Sequence, residues 1–396
     1  MKFFHTADWH LGKLVQGLYM TEDQRYILDR FVEDAANERP DAIIIAGDLY
    51  DRAVPPTEAV QLLNEVLDKI VLDLKIPVIA VAGNHDSPSR LHFGSTIMEQ
   101  NGFHIVGQFQ KEREPVVMKD EFGEVHFHLV PYCDPSVVRA AFEDEEIRTH
   151  DDAMKKICET IYSSMSDKAR NVFVGHAFVT PHGEPEENTS DSERPLSVGG
   201  AEHVSAHHFV DFNYTALGHL HQAHHVLNET IRYAGSILKY SASEATHKKG
   251  YYVVEIDGDG NTEVEKRLLE ARRDLRIVEA KMDDLLKQPI CDDYVFVRLL
   301  DEMPILSPME RIRSVYPNCL HVERVNLSTS ANGDKTVSAK KRSEMSDMER
   351  FEAFYKEVQG NEPSDRTVDL FKEILDEWLH EERETVMVRK AGAESK

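Results

Sequence analysis

The chain has 396 residues, 41% of them hydrophobic, and a formal net charge of −25. That length is too great for one ordinary core and predicts two or three domains. The charge argues against binding nucleic acid through a basic surface of the chain's own, because phosphate affinity comes from Lys and Arg; metals or a basic partner are left to supply it. Cys133, Cys158, Cys291 and Cys319 show no CxxC spacing, which fits reduced thiols in a cytoplasmic protein, and the polar opening MKFFHTADWH predicts neither a signal peptide nor a membrane span.

Short apolar runs read as buried strands. The first, Phe3-Phe4, leads to Asp8 and His10. In TEDQRYILDRFVEDAANE, Thr21 and Gln24 have capping-box spacing, and Ile27, Leu28, Phe31, Val32 and Ala35 form a helical stripe. The run AIII (42–45) then ends at Gly47-Asp48. A second helix from Thr57 is predicted to bury Val60, Leu63, Leu67, Ile70, Val71 and Leu74 before Pro77, and VIAVA (78–82) ends at Gly83-Asn84. Strand, helix, strand, helix is a parallel α/β pattern.

From Gly102 to about Ala271 the runs HFHLV, YTALG, HHVL, IRYA and YYVVEI predict a second, partly antiparallel sheet; within it VFV (172–174) ends at Gly175-His176 and TAL (215–217) at Gly218-His219. After Arg272, LRIVEA, MDDLLKQ, YVFVRLL, a helix at Pro308-Val315 and LHVERVN read as a small βαβαβ unit. The stretch Ser328-Arg342 is polar and aperiodic, a linker. Ser346 and Glu349 then form a capping box for a helix with Phe351, Phe354, Tyr355 and Val358, ended by Gly360; a second helix from Ser364 carries Leu370, Phe371, Ile374, Leu375 and Trp378. The boundaries fall at 1–271, 272–327, 328–345 and 346–396.

In open α/β sheets ligands sit beyond the carboxyl ends of the strands, so these five strand ends point to one site. Asp8 and His10, spaced i, i+2, project to the same side if extended, as do His219 and His221. Asp48, Asn84 and His176 complete seven oxygen and nitrogen donors without a thiolate, a set suited to manganese, iron or zinc. Seven donors exceed one open site, whereas a shared Asp48 carboxylate accommodates two ions roughly 3.5 to 4 Å apart. A lone histidine is more often structural, and His92, His126 and His203, which lack this placement, are read so.

The segments HTADWHLG (His5-Gly12), GDLYD (Gly47-Asp51), GNHD (Gly83-Asp86), GH (Gly175-His176) and GHLH (Gly218-His221) resemble the five motifs of the calcineurin-like metallophosphoesterases. The Trp9-bearing first motif, the DSERPLSVGG stretch (Asp191-Gly200) and the domain order resemble the DNA-nuclease branch of that family along essentially the whole chain. The resemblance implies an α/β fold, a two-sheet sandwich with a small α/β capping domain and a C-terminal helical pair. One divalent ion would take Asp8, His10, Asp48 and His221, the other Asp48, Asn84, His176 and His219, with manganese the first candidate. His85 would be the catalytic residue assisting the departing oxygen, and Asp86 an orienting group. Asp51 departs from the histidine common in archaeal and eukaryotic relatives, and Arg52 and Arg90 are as readily surface groups as phosphate contacts. The implied activity is metal-dependent DNA cleavage, exonucleolytic at duplex ends and endonucleolytic on single strands and hairpins, in repair, recombination and replication. Implied partners are DNA, an ATPase whose coiled coil the tail helices clamp, and a second copy of the chain within a heterotetramer. The alternative is a small-molecule phosphodiesterase or phosphatase using the same two-metal site.

Overall fold

The computed structural model describes residues 1–183, 203–301 and 303–325, and beyond them 348, 351–352, 354–356, 362–364, 366–372 and 375. The linker 328–345, the Asp191-Gly200 stretch and the proposed caps at Ser346, Glu349 and Gly360 lie outside the described residues, as do Val358, Ile374 and Trp378. Met1–Asp301 with Ile305–Glu323 forms one compact unit, and Glu302–Pro304 with Arg324–Lys396 another.

In the first unit β1 (Lys2–Thr6) leads through a two-stranded ribbon, β2 (Leu14–Val15) and β3 (Leu18–Tyr19), into α1 (Thr21–Glu38). There follow β4 (Ala42–Ala46), α2 (Thr57–Leu67), β5 (Val78–Val81), α3 (Pro88–His92), α4 (Ser95–Glu99) and β6 (Phe103–Val106). The ribbon β7 (Val116–Asp120) and β8 (Gly123–Val130) precedes α5 (Pro135–Phe142), α6 (His150–Ser164), β9 (Arg170–His176), β10 (Phe178–Thr180) and β11 (His203–Ser205). Then come β12 (Tyr214–Gly218), β13 (His224–Val226), β14 (Asn228–Tyr233), β15 (Gly250–Ile256) and β16 (Thr262–Leu268). The last stretch is β17 (Leu275–Ala280), α7 (Met282–Leu285), β18 (Tyr294–Leu299), α8 (Pro308–Ile312) and β19 (Cys319–Arg324), with its strands in one sheet ordered β17-β18-β19.

Two six-stranded sheets, ordered β16-β15-β1-β4-β5-β6 and β13-β14-β12-β9-β8-β7, face each other. Strand periodicity divides the apolar side chains between layers. Phe4, Ile43 and Ile45 turn outward to Phe31, Leu62 and Val66 of α1 and α2. Their neighbours Phe3 and Ile44 turn inward, against Phe127, Val172 and Tyr214 of the second sheet. On that sheet's far side Phe173 and Leu217 meet Met154 and Ile157 of α6. The result is a helix, sheet, sheet, helix sandwich, in which β1, β4, β5 and β6 are parallel and end on one rim. β8, β9, β12 and β14 are likewise mutually parallel.

Several local expectations change. YYVVEI joins the first sheet, antiparallel to β1, not the second. Helices α5 and α6 interrupt the stretch expected to be strand-rich; α6 starts at a true capping box, Thr149 with Asp152. In the second helix Val60 is exposed while Ala59, Leu62 and Val66 are buried; Leu63, Ile70 and Val71 are buried as expected. There the backbone widens into a π-helical turn at Asp68–Asp73, which shifts the stripe relative to a uniform 3.6-residue period. In the second unit the described residues 351–352, 354–356 and 366–372 are helical, and the rings of Phe351 and Phe371 stack with centroids 3.9 Å apart.

Candidate metal centre

The strand ends bring all seven donors to one rim, by a backbone route the sequence did not suggest. Asp8 and His10 are not extended: their φ angles are 54° and 46°, in the left-handed region. The loop after β1 instead runs beside the loop after β4, with Asp8 N–H donating to Gly47 O (3.1 Å), His10 N–H to Asp48 O (3.0 Å) and Leu11 N–H to Leu49 O (2.9 Å). Such strained residues persist only where their surroundings hold them. Gln24 does that: fully buried, it accepts from Gly12 N–H (3.1 Å) and donates to Trp9 O (3.1 Å) and His10 O (2.8 Å). The expected capping box of Thr21 and Gln24 therefore does not form; the N-cap of α1 is Met20, without a side-chain bond.

Two of the glycines show why no side chain fits there. At Gly47 φ is +92° and a Cβ would lie 2.2 Å from His176 Nδ1; at Gly83 it would lie 2.1 Å from Asp48 Oδ1. Of the four glycines that precede donors, only Gly47 turns through a left-handed conformation; the other three are required by close approach.

Asp48 divides its two oxygens. Oδ1 accepts from His85 N–H (2.9 Å), while Oδ2 lies 3.6 Å from His10 Nε2 and 3.5 Å from His176 Nε2. His10 Nε2 and His221 Nε2 are 3.0 Å apart, and Asn84 Oδ1 is 2.9 Å from His176 Nε2 and 3.3 Å from His219 Nδ1. Asp8 accepts the main-chain N–H of His219 at 3.0 Å, joining the two sheets' rims. His176 donates Nδ1–H to Ala46 O (3.0 Å), and His221 donates Nδ1–H to Glu244 Oε1 (3.1 Å), so both rings turn Nε2 lone pairs inward. Converging lone pairs about 3 to 3.6 Å apart are the spacing of ligands held about 2 Å from a common ion. The donor set fits two divalent cations.

Burial governs the electrostatics. His10 and His219 lie well below the usual histidine range because burial, and then neighbouring rings, oppose their charging. Burial likewise lowers His176 to about 4, and lowers His221 despite the opposing pull of Glu244. Burial thus favours the neutral form of all four rings, the form that can offer a lone pair to a metal. Burial raises Asp48, with the His85 ring and N–H pulling the other way, and raises Asp86 to about 7, with Asp48 adding to it. Asp86 is a loop clasp: it accepts from the N–H groups of Leu49 (3.1 Å), Tyr50 (3.0 Å) and Gly83 (3.0 Å).

His85 is half-buried, its ring 4.6 Å from that of His10, and its Nδ1–H donates to Asp51 O (2.8 Å), leaving Nε2 for a reacting group. The Asp51 side chain pairs with Lys13 (2.8 Å) and lies 3.7 Å from His10 Nδ1 and 3.6 Å from Arg52 Nε. Arg90 lines an apolar cleft with Tyr50, Leu63 and Met98. Sequence reasoning missed Gln24, Tyr240, Glu244 and Lys249. Gln24 carried a signal but was assigned to a cap, and the other three stand in no pattern.

A family profile described as Calcineurin-like phosphoesterase matches residues 1–223, and one described as Type 5 capsule protein repressor C-terminal domain matches 271–359. The chain is 36% identical over 379 residues to the SbcD subunit of the nuclease SbcCD from Staphylococcus epidermidis, covering 95% of this chain and 98% of that one. Among solved structures it is similar to TT1561 of Thermus thermophilus, with 12% identity, a TM-score of 0.38, and coverage of 67% of this chain and 98% of that one. A dimetal phosphatase from Danio rerio gives 10% identity and a TM-score of 0.39, with 68% and 96% covered.

Proposed function

The chain belongs to the calcineurin-like phosphoesterases and, within them, to the SbcD family of SbcCD nuclease subunits, and from that membership we propose how its centre cleaves DNA. It is a metal-dependent phosphodiester hydrolase. The carrying observation is the double use of Asp48, whose Oδ2 stands between His10 Nε2 and His176 Nε2. We assign Asp8, His10, Asp48 and His221 to one ion and Asp48, Asn84, His176 and His219 to the other. When bound, the two ions polarise the phosphodiester and activate water for in-line attack. The side chains do the rest: Asp48 would hold both ions, neutral histidines would hold them without competing protons, and His85, as an imidazolium whose Nδ1–H stays on Asp51 O, gives its Nε2 proton to the leaving oxygen and is left neutral. Manganese is the assigned metal, consistent with mixed oxygen and nitrogen donors.

The substrate reading is DNA, as duplex ends for exonuclease action and as single strands or hairpins for endonuclease action. The β17-β18-β19 unit is taken as the DNA-facing cap over 272–327, and residues 346–396, after the linker, as the helices that grip the coiled coil of an SbcC-type ATPase. A homodimer within a heterotetramer is supported by exposed apolar side chains at Phe93 (82%) and Ile97 (70%) beside Met98, and its solution mass reads it out directly. A cytoplasmic setting is supported by four free cysteines. Incubation of the pure chain with linear duplex and hairpin DNA plus Mn²⁺ tests the reading: cleavage is expected, whereas turnover of a generic phosphodiester without DNA cleavage would favour the small-molecule alternative.

A further inference from the structure

Behind the centre lies a buried ion pair that none of the motifs contains. Glu244 is fully buried, in a short 3-10 turn (Ala242–Glu244) after β14, and Lys249 is 8% exposed just before β15. Glu244 Oε1 takes the Nδ1–H of His221, and the Lys249 ammonium sits against Oε2. Lys249 Nζ also donates to the main-chain oxygen of His221 (2.8 Å) and to Ser236 Oγ (2.7 Å). One ion pair therefore grips His221 twice, at its ring and at its backbone.

This arrangement is specific to one side of the centre. Among the described residues His221 is the only one of the four histidine donors whose Nδ1 lies within hydrogen-bond range of a carboxylate; His176 uses the neutral carbonyl of Ala46. A buried ion pair is expensive unless its remaining hydrogen-bonding positions are filled. Here Ser236, Ser241 and His221 fill them. The Lys249 ammonium against Oε2 supplies the counter-charge of the buried Glu244 carboxylate. A charged acceptor on Nδ1–H fixes the tautomer and makes Nε2 the more basic donor, the role outer carboxylates play at metal-bound imidazoles.

We infer that Glu244, backed by Lys249, is a positioning residue for His221 that sets the affinity of one ion of the pair and not the other. The inference rests on the two-ion reading above. The deciding experiment is calorimetric titration of Mn²⁺ into the full chain, with electron paramagnetic resonance of the loaded protein to report coupling between the ions. Wild type is expected to bind two ions with a coupled signal. Glu244→Gln keeps the shape and an acceptor but removes the charge; one of the two sites is expected to weaken by roughly 10- to 100-fold, with the signal becoming that of an isolated Mn²⁺ at subsaturating metal. Glu244→Gln combined with Lys249→Met, which leaves no unpaired charge, carries the same test if the single variant does not fold. Equal weakening of both sites, or a lower melting temperature with unchanged Mn²⁺ affinities, overturns the inference. If wild type binds fewer than two ions, the two-ion reading falls and the inference with it.

Discussion

Replacing Gln24 by alanine probes the backbone that carries Asp8 and His10. The Gln24 side chain holds four groups: Gly12 N–H, Trp9 O, His10 O and the Tyr240 hydroxyl. Three of these keep other partners, because the Tyr240 hydroxyl still donates to Trp9 O and His10 O still accepts from Lys13 N–H. The Gly12 N–H loses its side-chain acceptor in a fully buried place, a loss of about 1 to 3 kcal/mol, and the vacated volume adds about 1 to 2 kcal/mol. A loss of about 3 kcal/mol is expected in urea unfolding of the metal-free protein followed by tryptophan fluorescence. Residues at φ 54° and 46° are also released to relax. If about 1.4 kcal/mol of the loss reappears as reorganisation of the site, Mn²⁺ affinity drops about tenfold. A loss below about 1 kcal/mol with unchanged Mn²⁺ affinity would refute the claim that Gln24 fixes this loop.

His85→Ala is expected to keep both ions while DNA cleavage falls by roughly 10²- to 10⁴-fold; metal analysis beside the cleavage assay checks it, and loss of metal would make His85 a ligand. Acid stability of the metal-free protein follows from His176. Its folded value of about 4 lies below the ordinary 6.5, so the unfolded chain binds the proton first, and the contribution of His176 to stability falls as pH drops from about 6.5 to about 4 and then levels. The shift corresponds to about 3 kcal/mol. Denaturation midpoints across that range check the sign, and a midpoint that rises on acidification contradicts it.

Asp48, Asn84, His176 and His219 were readable from sequence because each follows a short apolar run and a glycine, a local signal that marks a strand's carboxyl end; Asp8, His10 and His221 were readable only from their place just beyond such a run. Their backbone geometry was not. The alternation rule puts Asp8 and His10 on one side only in an extended chain, and left-handed turns bring them together by another route. Thr21-x-x-Gln24 fits a capping box by spacing, yet Gln24 bonds a loop twelve residues earlier at Gly12, a tertiary preference that no window around the helix contains. Glu244 and Lys249 were invisible for the same reason: their partner, His221, lies 23 and 28 residues away. The slip in the second helix has a different cause, since a π-helical turn breaks the period on which the stripe was drawn.

Three consecutive residues at the end of β5 serve the centre in three ways. Asn84 turns its Oδ1 to His176 and His219, His85 turns its main-chain N–H to Asp48 and its ring toward the reacting side, and Asp86 turns back to clasp the loops on either side. The bond that orients the Asp48 carboxylate thus belongs to the backbone of residue 85, not to its side chain. Removing the imidazole leaves that bond in place, which is why ion binding and proton transfer should separate in a His85 variant. At Gly83 they cannot separate, because any Cβ there would intrude 2.1 Å from Asp48 Oδ1. The order Gly-Asn-His-Asp therefore meets a geometric requirement at each position: space for the Asp48 carboxylate, an oxygen turned to His176 and His219, an amide that holds Asp48, and an anchor for both loops.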